Sequence, residues 1–386
     1  MTRLLRCFVF VITGLSAGCG TQPYPTGLAY PPRVDAIVVR LPATDAEGPP
    51  PAGKIDEFIG NLNARGGKVL NPNDLPEETR SAVNRVLVEM FGSPAVPLVP
   101  LLDVQGVETL HLEPETLAAG SLLYKKHCLQ CHGLSGDGRG PTGQWVYPSP
   151  RDFRQGIFKF VTSPGTASRK PSRADLHRSL ALGIERTSMP PFGMLSELER
   201  EQIISYTIHL SLRGEVEYRL LLDLLNQEDM DNVATEARSY LRSALRQWLA
   251  ADIERIAPTT IPTPNDLDRR VQPDHLESVR RGHQLFTNPA INCIGCHVDF
   301  GRQARYLYDS WGGVTRPNDL TEGVYRGGKT PLDLFQRIRG GVGPSGMPAA
   351  VTLSDDQTWD LVHFVLALPA TNMLPSDVRS QVYPAR

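Results

Sequence analysis

The hydrophobic residues of this chain recur mainly every three or four positions, while runs with the strict alternation of a strand are scarce. The clearest early example is the segment 75–92, in which Val83, Leu87 and Met90 fall on one helical face. Gly92 follows as a stop signal. The pattern therefore predicts a mainly helical protein, with a helix over 75–92.

Two later helices carry the same start signal. Each begins at a serine that follows leucine, with Glu199 three residues after Ser196 and Gln357 three residues after Ser354. This spacing is the capping box, in which the paired residues satisfy free backbone groups of the first turn. The apolar faces that follow also correspond: Ile203, Ile204, Tyr206 and Leu210 in the first helix, and Leu361, Val362, Phe364 and Leu368 in the second.

These two helices close the two copies of a longer repeat. In each copy a Gly-x-x-Leu-aromatic stretch precedes Cys-x-x-Cys-His, and a Pro-x-Asp stretch, an Asp-Leu stretch and a Met-Pro pair follow in the same order. The step from the aspartate of Asp-Leu to the methionine is fourteen residues in both copies, from Asp175 to Met189 and from Asp333 to Met347. The repeat predicts two compact domains, over 113–213 and 276–370.

The remaining segments are assigned by composition. We expect a signal peptide over 1–19, a leader with a short helix over 20–112, a helical and Pro-rich linker over 214–275, and a tail over 371–386. Residues 20–74 of the leader are rich in Pro, Gly and Ala, which favours an extended tether. The linker carries an apolar face that either docks a partner or packs on the first domain: Leu220, Leu221, Leu224 and Leu225.

Composition and charge narrow the class of protein. The 386 residues are 40% hydrophobic and 21% charged, as in ordinary globular proteins, and the formal net charge of −2 argues against a nucleic-acid binder. Of six cysteines, four lie in the two Cys-x-x-Cys-His motifs, and the others are Cys7 and Cys19. The domains therefore have no spare thiols for a disulfide framework.

The first nineteen residues predict export. Arg3 and Arg6 precede a short apolar run over 7–15 that cannot span a bilayer, and no later apolar run is long enough for a membrane helix. Ala-Gly-Cys ending at Cys19 resembles a bacterial lipobox, although Leu15 stands four rather than three positions before the cysteine. We therefore expect the protein on the periplasmic face of a bacterial membrane, lipid-anchored through Cys19, with ordinary signal cleavage as the alternative.

Cys-x-x-Cys-His is the attachment signature of c-type haem. The two motifs consist of Cys128, Cys131 and His132, and of Cys293, Cys296 and His297. Two cysteines on one helical turn suit thioether bonds to the two vinyl groups, and the histidine that follows is placed to bind the iron. A structural zinc site needs four ligands and a thioredoxin-like pair needs a βαβ context, and neither is evident in the sequence. We predict two covalently attached c-type haems.

A second axial ligand is expected from each Met-Pro loop. Methionine is a soft ligand that raises the reduction potential of haem iron, and the proline after it stiffens the loop. Met189 and Met347 occupy the same place in the two repeats, whereas Met194, the rival in the first domain, has no counterpart in the second. The predicted metal ligands are His132 with Met189, and His297 with Met347.

Loop residues are expected to complete both sites. A ligating imidazole needs an acceptor for its other nitrogen, and the GDGRGP stretch offers the carbonyl of Pro141 in the first domain. The second domain has no equivalent Gly-Pro pair, which leaves its acceptor open. Arginine suits the haem propionates, so Arg151 and Arg154 are candidates in the first domain, and Arg316 or Arg326 in the second. A solvated basic loop is the alternative.

With these motifs in place, each unit resembles a class I bacterial cytochrome c domain. The resemblance implies a small helical fold in which the helix carrying Gly120 or Gly282 crosses the terminal helix carrying Tyr206 or Phe364, with the glycine allowing close approach. The second unit departs by an inserted Thr-Asn-Pro before its first cysteine and by a shorter step from histidine to methionine. Its haem surroundings are therefore expected to differ from those of the first.

Two haems with both axial positions filled describe an electron carrier, because such an iron changes charge with little rearrangement and offers no open position to a substrate. We expect a dihaem c-type cytochrome that transfers single electrons in a bacterial periplasmic respiratory chain, as a shuttle or as a subunit of a membrane complex. Its expected partners are a quinol-oxidising complex or dehydrogenase, and a terminal oxidase or reductase. The alternative is a dihaem peroxidase-like enzyme, which needs an open sixth position.

Overall fold

The computed structural model describes residues 23–165, 169–227, 230, 232–259 and 273–384. Within these ranges the helices are α1 (Ile55–Gly60), α2 (Glu77–Phe91), α3 (Pro114–His127), α4 (Leu129–His132), α5 (Arg173–Leu182), α6 (Glu197–Leu225), α7 (Val233–Ile253), α8 (Pro273–Thr287), α9 (Cys293–Cys296), α10 (Pro331–Gly340), α11 (Asp355–Ala367) and α12 (Ser376–Val382). The strands are β1 (Ile37–Arg40), β2 (Lys68–Leu70), β3 (Leu307–Tyr308) and β4 (Val314–Thr315). The expected signal peptide lies outside the described residues, as does most of the Pro-rich part of the expected linker.

The architecture is mainly helical with two small antiparallel pairs of strands, β1 with β2 and β3 with β4, which confirms the expected fold class. The helix predicted over 75–92 is present as α2, and it buries Val83, Leu87 and Met90. Gly92 ends this helix with a φ of 67°, which glycine adopts without the strain that a side chain would add. Among the described helices, none is long and apolar enough to cross a membrane.

Each domain is organised around two crossing helices, α3 against α6 in the first and α8 against α11 in the second. At the first crossing, a Cβ on Gly120 would lie 2.1 Å from the carbonyl oxygen of Gln202. At the second, a Cβ on Gly282 would lie 2.0 Å from that of Asp360. The close approach expected at both glycines is confirmed, since any side chain there would push the helices apart.

The two predicted capping boxes are present, and two further helices also begin with a capping box. Helices α6 and α11 begin with the reciprocal bonds of a capping box, as predicted. Two further capping boxes, Ser172 with Asp175 and Thr330 with Asp333, begin α5 and α10. The aspartates of the repeated Asp-Leu stretches therefore fix the starts of these two helices.

The structure differs from the expected linker after residue 213. Helix α6 runs without a break to Leu225, and α7 packs against α6 and α2. Leu220 and Leu221 are buried, and Leu224 packs against the core of the first domain. Leu220, Leu221 and Leu224 therefore pack within the first domain rather than forming an exposed docking surface.

The structure also corrects the expected tether before the first domain. Strands β1 and β2 pair, and Val38, Ile59 and Leu62 pack in one cluster with Tyr308 and Val314 of the second domain. The high Pro and Gly content of this segment reflects its many turns rather than an extended chain. The N-terminal segment is thus a structural element that covers part of the second domain.

The expected C-terminal tail is likewise part of a core. Leu374, Val378 and Val382 are buried against the second domain, the last two on the short helix α12. Three apolar side chains of this segment therefore belong to the core of the second domain. The boundary expected at residue 370 is too early.

Candidate functional site

A cavity of about 650 Å³ opens between the two domains. It is lined by all eight residues that the sequence singled out as attachment points or metal ligands: Cys128, Cys131, His132 and Met189 from the first domain, and Cys293, Cys296, His297 and Met347 from the second. The sequence places these residues in two separate domains, and the structure brings both sets to one continuous space.

The first motif is supported by the loop that follows it. Helix α4 ends at His132, and the loop folds back so that the backbone N–H groups of Gly138 and Gly140 donate to the carbonyls of His132 and Cys131, at 2.9 and 3.1 Å. A Cβ on Gly140 would lie 2.3 Å from the carbonyl oxygen of Leu129, so only glycine allows this contact. The GDGRGP stretch therefore satisfies the free carbonyls at the end of the motif helix.

The acceptor for His132 is the carbonyl of Arg151, and the prediction of Pro141 is wrong. The Nδ1 atom of His132 lies 3.1 Å from the carbonyl oxygen of Arg151. Phe153 stacks on the imidazole, with ring centroids 4.8 Å apart. Pro141 belongs to the loop that binds the carbonyl end of α4, so its position is fixed by the helix rather than by the imidazole.

The second domain repeats this arrangement. The Nδ1 atom of His297 lies 3.2 Å from the carbonyl oxygen of Asn318. Arg151 and Asn318 are the middle residues of the two Pro-x-Asp stretches. The repeated Pro-x-Asp stretch therefore marks the acceptor in the sequence of both domains. Only the structure shows that the carbonyl of its middle residue faces the histidine. In both sites Nδ1 is engaged, which leaves Nε2 as the nitrogen available to a metal.

Burial disfavours the protonated form of both imidazoles. Burial lowers the pKa of His132 below its ordinary value, against a smaller opposing effect of the bond to the Arg151 carbonyl. Burial also lowers the pKa of His297, again against the opposing effect of its carbonyl partner, Asn318. Because neutral imidazole is the form that binds a metal, the direction of both pKa shifts favours metal binding.

The four cysteines differ in exposure: Cys296 is exposed, and Cys128, Cys131 and Cys293 are partly exposed. Burial raises the pKa of the Cys128 thiol to about 12 and shifts that of Cys293 in the same direction. All four cysteines of the described chain are free. Within the described residues, no group of three or more His, Cys, Asp or Glu side chains is arranged to hold a metal ion.

The two methionine loops have the same backbone. The N–H of Ile184 donates to the carbonyl of Met189 at 3.1 Å, and that of Val342 donates to the carbonyl of Met347 at 2.9 Å. A glycine with a φ of 67° precedes each loop, and a Cβ there would lie 2.7 Å from the methionine carbonyl in the first domain and 2.5 Å in the second. Met194 is 79% exposed and does not line the cavity, so the structure separates it from the predicted ligands.

The polar lining of the cavity is strongly cationic. In the described part of the chain its charged lining residues are five cations and no carboxylate: Arg151, Lys159, Arg316, Arg326 and Arg337. The buried Nε atom of Arg326 has no hydrogen-bond partner among the described residues. Burial, followed by repulsion from Arg151, lowers the pKa of Lys159 to about 8. Such an excess of positive charge around the cavity suits an anionic ligand.

The structure shows which of the arginines predicted to bind propionates line the cavity. Arg151, Arg316 and Arg326 line the cavity. Arg154 does not, because its guanidinium is held by the carboxylates of Asp152 and Asp35 at 2.7 to 3.0 Å. Its role is therefore structural, in an ion-pair network that joins the N-terminal segment to the first domain.

These residues fit a c-type haem in each domain. Each half of the cavity offers two thiols, an imidazole with Nε2 available and a methionine, and the shared space adds guanidinium groups that suit carboxylates. The unpartnered Nε of Arg326 is the kind of buried donor that an anionic group satisfies.

Fold and site together define a chain with two cytochrome c-like domains. The family described as cytochrome C oxidase, cbb3-type, subunit III matches residues 115–206 and 277–365, one segment in each domain. No curated protein matches the chain. A chain of the reducing HAO-like protein complex of Kuenenia stuttgartiensis resembles it with a TM-score of 0.46 and 24% identity, over 65% of this chain and 95% of that chain.

Proposed function

We propose that the protein is a dihaem c-type cytochrome that carries single electrons. The observation that carries this proposal is the meeting of both Cys-x-x-Cys-His motifs and both Met-Pro loops at one cavity. In the first domain Cys128 and Cys131 would hold the haem covalently, and His132 and Met189 would bind its iron. The four corresponding residues of the second domain are Cys293, Cys296, His297 and Met347. When bound, the haem supplies a reversible one-electron couple of its iron.

Backbone carbonyls, glycines and arginines of the chain would position the iron ligands and bind the propionates at the two sites. The carbonyls of Arg151 and Asn318 orient the two imidazoles through Nδ1 and make them more basic ligands. The glycines before the methionine loops let the chain turn tightly enough to present a thioether. Arg151 and Arg326 are the residues that we assign to the propionate carboxylates.

A shared cavity also favours direct exchange of electrons between the two sites. Both motifs line the same space, so haems held by them would occupy one cavity. We therefore propose that the two domains act as one redox unit rather than as two independent carriers on a tether.

We further propose a place for this unit in a bacterial respiratory chain on the periplasmic face of a membrane, with Cys19 as a lipid anchor. The basis is the N-terminal sequence and the family match. The partners would be a quinol-oxidising complex or dehydrogenase and a terminal oxidase or reductase, with the protein as a shuttle or as a complex subunit. Replacement of Cys19 by serine should release the protein from the membrane fraction, and retention there would overturn the anchor.

A redox titration followed by optical spectra tests the electron-carrier function. We expect two low-spin haems per chain, each with the weak far-red band of methionine bound to ferric iron. The paired replacements C128A with C131A and C293A with C296A should each remove one haem and leave the other. A high-spin ferric fraction that reacts with peroxide would instead indicate a peroxidase-like enzyme.

A further inference from the structure

A tight turn of the second domain presents one tryptophan to the first domain. The N–H of Asp309 donates to the carbonyl of Gly313 at 2.8 Å, and the Asp309 carboxylate accepts from the backbone N–H groups of Trp311 and Gly313 at 3.2 and 3.0 Å. The side chain of Trp311 is buried. These bonds fix the direction in which the indole leaves the turn.

The indole of Trp311 contacts the Pro-x-Asp segment of the first domain. Its Nε1–H donates to the carbonyl oxygen of Asp152 at 3.1 Å, and the guanidinium of Arg151 lies 3.6 Å from the ring centroid. Lys159 adds a third link, donating to the carboxylate of Asp309 at 3.1 Å. A hydrogen bond, a cation–π contact and an ion pair therefore join this turn to one short stretch of the other domain.

That stretch is the one that orients His132. The carbonyl of Arg151, next to the carbonyl that Trp311 binds, accepts from Nδ1 of His132. The carboxylate of Asp152 accepts hydrogen bonds from Arg154 at 2.8 to 3.0 Å. Asp152 is therefore bound through its carbonyl by Trp311 and through its side chain by Arg154. Displacement of the Asp152 peptide would therefore move the acceptor of the histidine.

The second site is supported differently. The acceptor of His297 is Asn318, whose side-chain Nδ2 donates to the carbonyl of Val324 within the same domain. The first site is thus stabilised from the other domain, while the second is stabilised from its own. This asymmetry provides an internal reference for any measurement on the two sites.

We propose that Trp311 is a positioning residue through which the second domain holds the Arg151 carbonyl against His132 and so tunes the first site alone. The inference rests on the proposed function, since it needs a haem at His132. The bond from Nδ1–H makes the imidazole a more basic ligand, which favours the oxidised iron. Loss of the Trp311 hydrogen bond should therefore weaken that effect and raise the reduction potential of the first haem.

Replacement of Trp311 by phenylalanine isolates this bond, because an aromatic face remains for Arg151 while the N–H is lost. In W311F we expect two haems per chain, an upward shift of one midpoint potential, and faster exchange of the Nδ1 proton of His132 with solvent. The matched control is W145F, because Trp145 is 67% exposed and does not line the cavity. The control should leave both potentials unchanged. The variants M189H and M347H, which each replace one proposed iron ligand, assign the potentials to the two sites.

The outcomes separate this inference from the proposed function. A first potential that is unchanged or lowered in W311F, or an equal shift at both sites, overturns the role of Trp311 while the two haems remain. Absence of covalent haem from the unmodified protein overturns the proposed function itself. If W311F does not load haem, proton exchange in the unmodified protein decides: the Nδ1 proton of His132 should exchange more slowly than that of His297, and equal or faster exchange contradicts the proposal.

Discussion

Gly120 and Gln202 lie in such close contact that a Cβ on the glycine would be 2.1 Å from the carbonyl oxygen of residue 202. Gly282 stands in the same relation to Asp360 in the second domain, at 2.0 Å. In both cases the obstacle is helix backbone, which cannot move aside as a flexible side chain can. The two helix crossings next to the Cys-x-x-Cys-His motifs therefore require a residue without a side chain, which is glycine.

Replacement of either glycine by alanine should destabilise the protein. We expect G120A and G282A each to lower the free energy of unfolding by about 1–3 kcal/mol, because overpacking of a close contact forces the backbone apart. Guanidinium denaturation of the holoprotein measures the effect. The matched control is G60A, since Gly60 has right-handed helical backbone angles and nothing within 4 Å of a Cβ. A loss in G60A equal to that in G120A would contradict a specific role for the helix crossing.

Replacement of Met189 by leucine should remove the methionine that we propose as an iron ligand of the first haem. We expect M189L to keep two covalent haems and to lose about half of the far-red methionine-to-iron band, since one of the two proposed methionine ligands is removed. The control is M194L, because Met194 is exposed and lies outside the cavity. A loss of the band in M194L, with the band of M189L intact, would reverse the ligand assignment.

Replacement of Arg326 by glutamine should lower a haem potential. Removal of a positive charge beside the cofactor destabilises the reduced, more negative state, and we expect a fall on the order of 60 mV, which is a tenfold change for a one-electron couple. Arg305 serves as the matched control, since its side chain is exposed and paired with the partly exposed Asp45. The same redox titration of R305Q should show no shift, and equal shifts in both variants would mean that Arg326 acts only through net charge.

Replacement of Asp35 by asparagine should loosen the N-terminal segment. Burial alone would raise the pKa of Asp35, but Arg33, Arg154 and Arg139 together hold it well below its ordinary value. The pairing therefore contributes stability above about pH 4, and this contribution is lost as the pH falls towards the folded-state pKa. We expect D35N to cost about 3 kcal/mol at pH 7, as for a broken buried ion pair, and markedly less at pH 3.

The matched control for this variant lies in the same N-terminal segment. Asp45 pairs with Arg305 at the surface, where ion pairs contribute at most about 1 kcal/mol. Denaturation curves of D35N and D45N at the two pH values make the comparison. If D35N lost no more stability than D45N at pH 7, or lost as much at pH 3 as at pH 7, the proposed network would not be what holds the segment.

Much of the fold was predictable from local signals that repeat. The capping serines, the crossing glycines and the order of the motifs each appear twice in the sequence, and their agreement identified two helical domains. The N-terminal segment was not predictable in this way, because its burial depends on Tyr308 and Val314, which are distant in sequence. Pro and Gly content indicates turns, but it does not tell whether the turns pack against another domain.

The side chains that line the cavity could be named from the sequence, whereas the backbone groups that contact them could not. The cysteines, histidines and methionines have characteristic chemistry and spacing, so they could be named from the sequence. The carbonyl of Arg151 could not, since every residue has a carbonyl and only the path of the chain selects one. Trp311 was missed for a related reason, because its contact with Asp152 exists only after the two domains meet.

The mass of the purified, denatured chain tests most directly whether the protein carries two covalent haems. We predict the mass of the processed polypeptide plus two haems, reduced by one haem in the C128A/C131A variant and by the other in the C293A/C296A variant. A chain that carries no covalent haem, or only one that persists in both variants, would contradict the proposal.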